Sequence, residues 1–110
     1  MNIKNYTAKA DMLQVLSHPV RLQILDELRN QSCCVCHLQV LTGRPQAYIS
    51  QQLSVLRDAG YVIDERDGQN VYYRLCNETL NRLLGEILGS GESAEILNEC
   101  TCPKCASQVI

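Results

Sequence analysis

No segment of this 110-residue chain approaches the roughly 20 consecutive apolar residues that a membrane-spanning helix needs, so no membrane partner is expected. The first twelve residues lack the basic start, apolar middle and small-residue cleavage site of a secretory signal, and a cytoplasmic location is expected. There is no internal repeat and no low-complexity segment. A basic excess is missing too. Ten Lys and Arg stand against twelve Asp and Glu, for a formal net charge of −2, whereas nucleic-acid binders usually carry a basic footprint. Charge alone therefore argues against DNA. At this length one domain with one core is the default.

What the chain does have is cysteine. Seven are many for its length, and in a non-secreted protein they point to metal binding or redox chemistry rather than structural disulfides. The odd count also leaves one without a partner.

Hydrophobic periodicity organises the chain. Ala8, Met12, Leu13, Val15 and Leu16 recur at helical spacing between Tyr6 and Ser17, and His18-Pro19 interrupts them. Pro19 suits the first position of a second helix carrying Val20, Ile24, Leu25 and Leu28. Ser32 can cap a short third helix with Val35, Leu38 and Leu41, ended by Thr42-Gly43. A fourth helix runs from about Gln46, with Ile49, Leu53 and Leu56 in one narrow stripe and Gly60 closing it; Arg44, where its cap would fall, is a poor capping residue. Tyr61 to Arg66 and Asn70 to Leu75 then form a β-hairpin around Asp67-Gly68. A last helix carries Leu80, Leu83, Leu84, Ile87 and Leu88, and Gly89-Ser90-Gly91 ends it.

Two helices joined by Gly43-Arg44-Pro45 and followed by a hairpin have the order of a helix-turn-helix with a wing, in which the second helix of the pair enters the major groove. Setting Ile49, Leu53 and Leu56 inward turns Ala47, Ser50, Gln51 and Ser54 outward, with Gln46 and Tyr48 on the flanks. Gln can bond adenine bidentately, Ser can bond base edges, and an Ala methyl can touch a thymine methyl. Arg44, Arg57 and Arg66 are candidates for phosphate contacts, and Gln69, Asn70 and Tyr72 for the wing's contacts with backbone or minor groove. Asp64, Glu65 and Asp67 on the same wing oppose them, so local charge hardly favours DNA; modest electrostatics and marked salt sensitivity are expected.

Leu16-Ser17-His18-Pro19-Val20-Arg21-Leu22-Gln23-Ile24-Leu25 resembles the opening signature of the ArsR/SmtB family of metal-responsive repressors. The stretches from Gln51 to Val62 and from Arg66 to Leu75 resemble that family's recognition helix and wing. The resemblance covers about Leu13 to Leu88. It implies a mainly α fold with a β-hairpin, a winged helix-turn-helix that forms a homodimer through an α-helical interface of its first and last helices. It also implies repression of metal-resistance or metal-handling genes by binding double-stranded operator DNA. On this reading residues 1–91 form the DNA-binding and dimerisation domain and residues 92–110 a Cys-rich tail.

Cys34-Val35-Cys36-His37-Leu38 is similar to the helix-three metal box of the arsenic- and cadmium-sensing branches, which read Cys-Val-Cys-Asp-Leu. His37 replaces the Asp, Gln39 stands where arsenic-sensing relatives often have a third cysteine, and no cysteine precedes Cys33. Two residues apart on a regular helix lie on nearly opposite faces, so Cys34 and Cys36 can converge on one ion only near a helix end. The unpaired N–H groups there favour thiolate. Cys33 and His37 are further candidate ligands. The competing reading packs Cys34 inward as a small hydrophobe. Cys76 is read as core filling, and His18 and His37 as capping or surface residues where they are not ligands.

Cys100, Cys102 and Cys105 follow C-x-C-x-x-C, a compact set suited to a soft ion. Two arrangements stay open: the tail binds alone, or it joins Cys34 and Cys36 in a shared site, within or between protomers. The Asp/His set that other family members carry on the last helix has no counterpart between Glu78 and Leu88. All-sulfur ligation points to As(III), Cd(II) or Pb(II), with Zn(II) or Cu(I) as further candidates. An enzyme is not expected. Cys102-Pro103-Lys104-Cys105 resembles a glutaredoxin active site, but it follows an all-helical run rather than a strand. Two alternatives keep the DNA-binding domain, one with a thiol/disulfide redox switch and one with a structural zinc tail that senses nothing.

Overall fold

The computed structural model describes residues 3–89, and their side chains from residue 5. Five helices and a small antiparallel sheet follow in the order α1 (Ile3–Leu16), α2 (Pro19–Asn30), β1 (Cys33–Cys34), α3 (Val35–Thr42), α4 (Gln46–Asp58), β2 (Val62–Asp67), β3 (Asn70–Leu75) and α5 (Glu78–Leu88). The five helices expected between Tyr6 and Leu88 are present, with the first starting three residues earlier than Tyr6; a helical turn expected around Ala94, Ile96 and Leu97 lies outside the described residues. Pro19 opens α2, where its missing N–H costs nothing and its fixed φ is already helical. Asn77 caps α5 by accepting the Leu80 N–H at 2.9 Å.

One core gathers a stripe from each helix: Leu16 from α1, Val20, Ile24, Leu25 and Leu28 from α2, Leu38 from α3, Ile49, Leu53 and Leu56 from α4, and Leu80 and Leu84 from α5. Burying each such side chain contributes about 1.5–3 kcal/mol. The stripe on α4 also holds Gln52, buried at i+3 from Ile49, whose Oε1 accepts the Arg21 Nε–H at 2.8 Å. That hydrogen bond ties α4 to α2. The apolar run on α5 divides: Leu80 and Leu84 face the core, while Ile87 and Leu88 are exposed, as are Tyr6 and Leu13 on α1.

The hairpin β2–β3 pairs Val62 with Leu75 through to Asp67 with Asn70. Its turn is therefore Gly68-Gln69, one residue beyond the expected Asp67-Gly68. Gly68 has φ +65 and Gln69 does not have positive φ, the type II′ pattern that places Gly first. A third strand was not anticipated. Cys33 pairs with Tyr73 and Cys34 with Tyr72, giving the sheet order β1-β3-β2.

Candidate functional site

Ser32 does not cap α3. Cys34 does: its Sγ accepts the His37 N–H at 3.4 Å, and its backbone is extended because it is also the last residue of β1. This dual position brings the two thiols together. With Cys34 at the cap and Cys36 in the first turn, helical geometry no longer separates them, and their Sγ atoms lie 2.8 Å apart. Cys34 is buried and Cys36 half-buried, so the pair is reached from the Cys36 side. The N–H donated to Cys34 and the positive end of α3 both favour thiolate.

Among the described residues, the neighbours do not form a metal-holding cluster with this pair. Cys33 is wholly buried in the core, and its Sγ donates to the Gln31 carbonyl at 3.5 Å. His37 is neither capping nor on the surface. It is fully buried, and its Nε2 lies 2.7 Å from Oε2 of Glu27 on α2, itself buried. One of its two ring nitrogens is thus engaged by a carboxylate. Cys76 is exposed rather than core filling, because it follows β3 at the surface, where its Sγ donates to the Gly60 carbonyl at 3.5 Å. Among the described residues no group of three or more His, Cys, Asp and Glu could hold a metal ion. Cys100, Cys102 and Cys105 lie outside the described residues.

On the other side of α3, Gly43 takes the left-handed conformation at φ +70 and ends the helix, and extended Pro45 starts α4 without a side-chain cap. The cap position thus falls on Pro45, not Arg44. Gln46, Ala47, Ser50, Gln51 and Ser54 are exposed along one face of α4. The Arg44 guanidinium sits 5.1 Å above the Tyr48 ring, and the Tyr48 hydroxyl lies 3.4 Å from Nε2 of His18. Arg44 is held beside the amino end of α4 by this stacking.

Arg57, Arg66 and Gln69 are exposed, and Asn70 is partly so. Arg57 lies 3.8 Å from Asp64, and Arg74 pairs with Glu65 across the hairpin, so wing acids offset nearby cations. Tyr72 is the correction. It is only 3% exposed, so its side chain is not available to DNA from the wing. Sequence reasoning also missed Gln52 and Arg21. A polar residue at i+3 on an apolar stripe was the available signal for the first.

The model of the "Bacterial regulatory protein, arsR family" matches residues 18–64, from the start of α2 to the first half of the wing. The chain is 38% identical over 88 residues to the HTH-type transcriptional repressor SmtB of Mycobacterium tuberculosis (strain CDC 1551 / Oshkosh), which covers 79% of this chain and 65% of that protein. It is 39% identical over 83 residues to the HTH-type transcriptional regulator NmtR of Mycobacterium tuberculosis (strain ATCC 25618 / H37Rv), covering 76% and 69%. Among solved structures, the homodimeric winged helix-turn-helix DNA-binding domain of Mb0332 from Mycobacterium bovis matches with a TM-score of 0.70 and 29% identity, over 78% of this chain and 80% of that one. With the helix-turn-helix, the three-stranded wing and these relatives in agreement, the chain belongs to the ArsR family of bacterial regulatory proteins.

Proposed function

We propose that the chain is a non-enzymatic, cytoplasmic transcriptional repressor that binds operator DNA as a homodimer and is released when cysteine thiolates capture As(III), Cd(II) or Pb(II). The observation that carries the sensing half is the convergence of Cys34 and Cys36 at the cap of α3, 2.8 Å apart. Two soft sulfurs at a positive helix end, reached from the Cys36 side, fit a thiophilic ion. The third and fourth sulfurs come, on this reading, from Cys100, Cys102 and Cys105.

The DNA half is supported by the exposed polar face of α4 and by Arg44 stacked beside it. Gln46, Ala47, Tyr48, Ser50 and Gln51 read bases, while Arg44, Arg57, Arg66, Gln69 and Asn70 hold backbone. The ion can release DNA only as far as it binds the free form better than the DNA-bound form. Cys34 is connected to both reading elements: it caps α3, which leads through Gly43-Arg44-Pro45 into α4, and it lies in β1, which pairs with the wing strand β3.

The test uses reduced, metal-free protein and a duplex that this protein selects from a random pool. Each ion is titrated while thiolate-to-metal absorption and DNA release are followed, in wild type, in Cys34→Ser/Cys36→Ser and in Cys102→Ser/Cys105→Ser. The expected result is that both double variants bind DNA normally and neither responds to the ion. If one pair proves dispensable for binding and release, the shared site is wrong and the remaining cluster is the sensor. If no ion releases wild type, the sensing reading fails.

A further inference from the structure

Among the described residues, Cys34 and Cys36 belong to no group of three ligands that could hold a metal ion, whereas a disulfide needs only two sulfurs. We propose that Cys34 and Cys36 are a peroxide-reactive dithiol that closes to an intramolecular disulfide within the same helix cap. The inference rests on the reading of this pair as the chain's functional thiols and changes only the reactant.

Three observations lead there. The Sγ atoms stand 2.8 Å apart against a disulfide bond of about 2.05 Å, so closure requires under about 1 Å of movement. Extended backbone at Cys34 gives the freedom that a continuous helix would deny. The two thiols also differ in access, since Cys36 is half-buried and Cys34 buried, which separates an attacking sulfur from a resolving one.

The step balances with a hydroperoxide as oxidant. Cys36 thiolate attacks the distal peroxide oxygen, the O–O bond breaks, and the alcohol (water, for hydrogen peroxide) leaves with one proton as Cys36 becomes a sulfenic acid. Cys34 sulfur then attacks Cys36 sulfur, the S–O bond breaks, and the sulfenic oxygen leaves as water with the Cys34 proton. Two thiols lose two electrons and the peroxide gains them.

Closure has a structural consequence, because Cys34 Sγ is the acceptor that caps α3 and Cys34 is paired with Tyr72 in the sheet. A disulfide redirects that sulfur, which loosens the first turn of α3 and the β1–β3 pairing together.

Full-length, reduced, metal-free protein is treated with one equivalent of hydrogen peroxide, alkylated, digested and mapped by tandem mass spectrometry. The peptide containing Cys33, Cys34 and Cys36 is expected to lose two hydrogens, with the link between Cys34 and Cys36, and dithiothreitol is expected to restore both alkylations. In Cys36→Ser the link is expected to vanish. Complete alkylation of the pair after peroxide, a link from either cysteine to the tail, or a Cys33–Cys34 link would overturn the proposal. Wild-type fragmentation reads the pairing directly, so the result stands even if the variant folds poorly. A pair that closes but takes up no As(III), Cd(II) or Pb(II) sinks the ion reading and leaves this one intact, and the converse result does the opposite.

Discussion

Nε2 of His37 lies 2.7 Å from Oε2 of Glu27, inside the seam between α3 and α2, with His37 fully buried and Glu27 4% exposed. A buried polar group of this kind is costly to leave alone. The pair therefore explains why His stands at a position where the similar metal boxes carry Asp: a carboxylate already occupies the facing site on α2.

Removing either partner should strand the other. Glu27→Ala is expected to lower folding stability by about 1–3 kcal/mol, and Glu27→Gln by less, since the amide can still hydrogen-bond the ring. His37→Asp, which restores the box's usual residue, is expected to be worse than His37→Asn because it sets two carboxylates against each other in a buried place. Urea denaturation of the four variants checks the order. Equal stability of His37→Asp and His37→Asn would show that the facing carboxylate is not felt.

DNA reading should separate by residue. Gln51→Ala is expected to cost about 1–3 kcal/mol on the selected duplex and nothing on random DNA, whereas Arg44→Ala is expected to weaken both about equally. Competition binding at two salt concentrations measures this. A loss for Gln51→Ala on random DNA as large as on the selected duplex would show that another face of α4 reads the bases.

Tyr72→Ala is expected to act on folding rather than on recognition, lowering stability by about 3–5 kcal/mol as buried aromatic truncations do. Conditions that keep the variant folded should leave its preference for the selected duplex over random DNA unchanged. A selective loss of that preference would return Tyr72 to the interface.

Tyr6 and Leu13 on α1 and Ile87 and Leu88 on α5 are large apolar side chains left exposed in the single chain. If they pair two protomers, Leu13→Glu with Ile87→Glu should yield a monomer by sedimentation equilibrium and abolish tight binding to half-sites about 34 Å apart. A wild-type monomer at micromolar concentration would refute the dimer outright.

Burial pushes the Tyr61 phenol above its ordinary range, and the Asp11 carboxylate on α1 adds to the effect. The folded state thus holds this proton more tightly than the unfolded chain does. Its contribution to stability is full below about pH 10 and is lost as pH rises through the folded-state value. Tyr61→Phe should flatten the alkaline loss of stability, and Asp11→Asn should reduce it. An unchanged alkaline limb in Tyr61→Phe would assign the loss to other groups.

The helices, the hairpin and the exposed polar face of α4 were legible in the sequence because they depend on local periodicity. Ile49, Leu53 and Leu56 can face one core only if Ser50, Gln51 and Ser54 face away. Gly43 and Gly68 marked their turns because positive φ favours glycine, although the turn at Gly68 began one residue later than Asp67-Gly68 suggested. The cysteine pair was legible only as a condition: Cys34 and Cys36 could meet if a helix ended there. Tertiary structure met that condition by a route no local pattern displays, the pairing of Cys33 and Cys34 with Tyr73 and Tyr72. A two-residue strand has no period of its own and gains its hydrogen bonds from residues some forty positions away. Tyr72 is buried as well, and the meeting of α2 with α3 set His37 against Glu27. Spacing along the chain determined which face each helix buries; only packing decided which polar groups found partners inside.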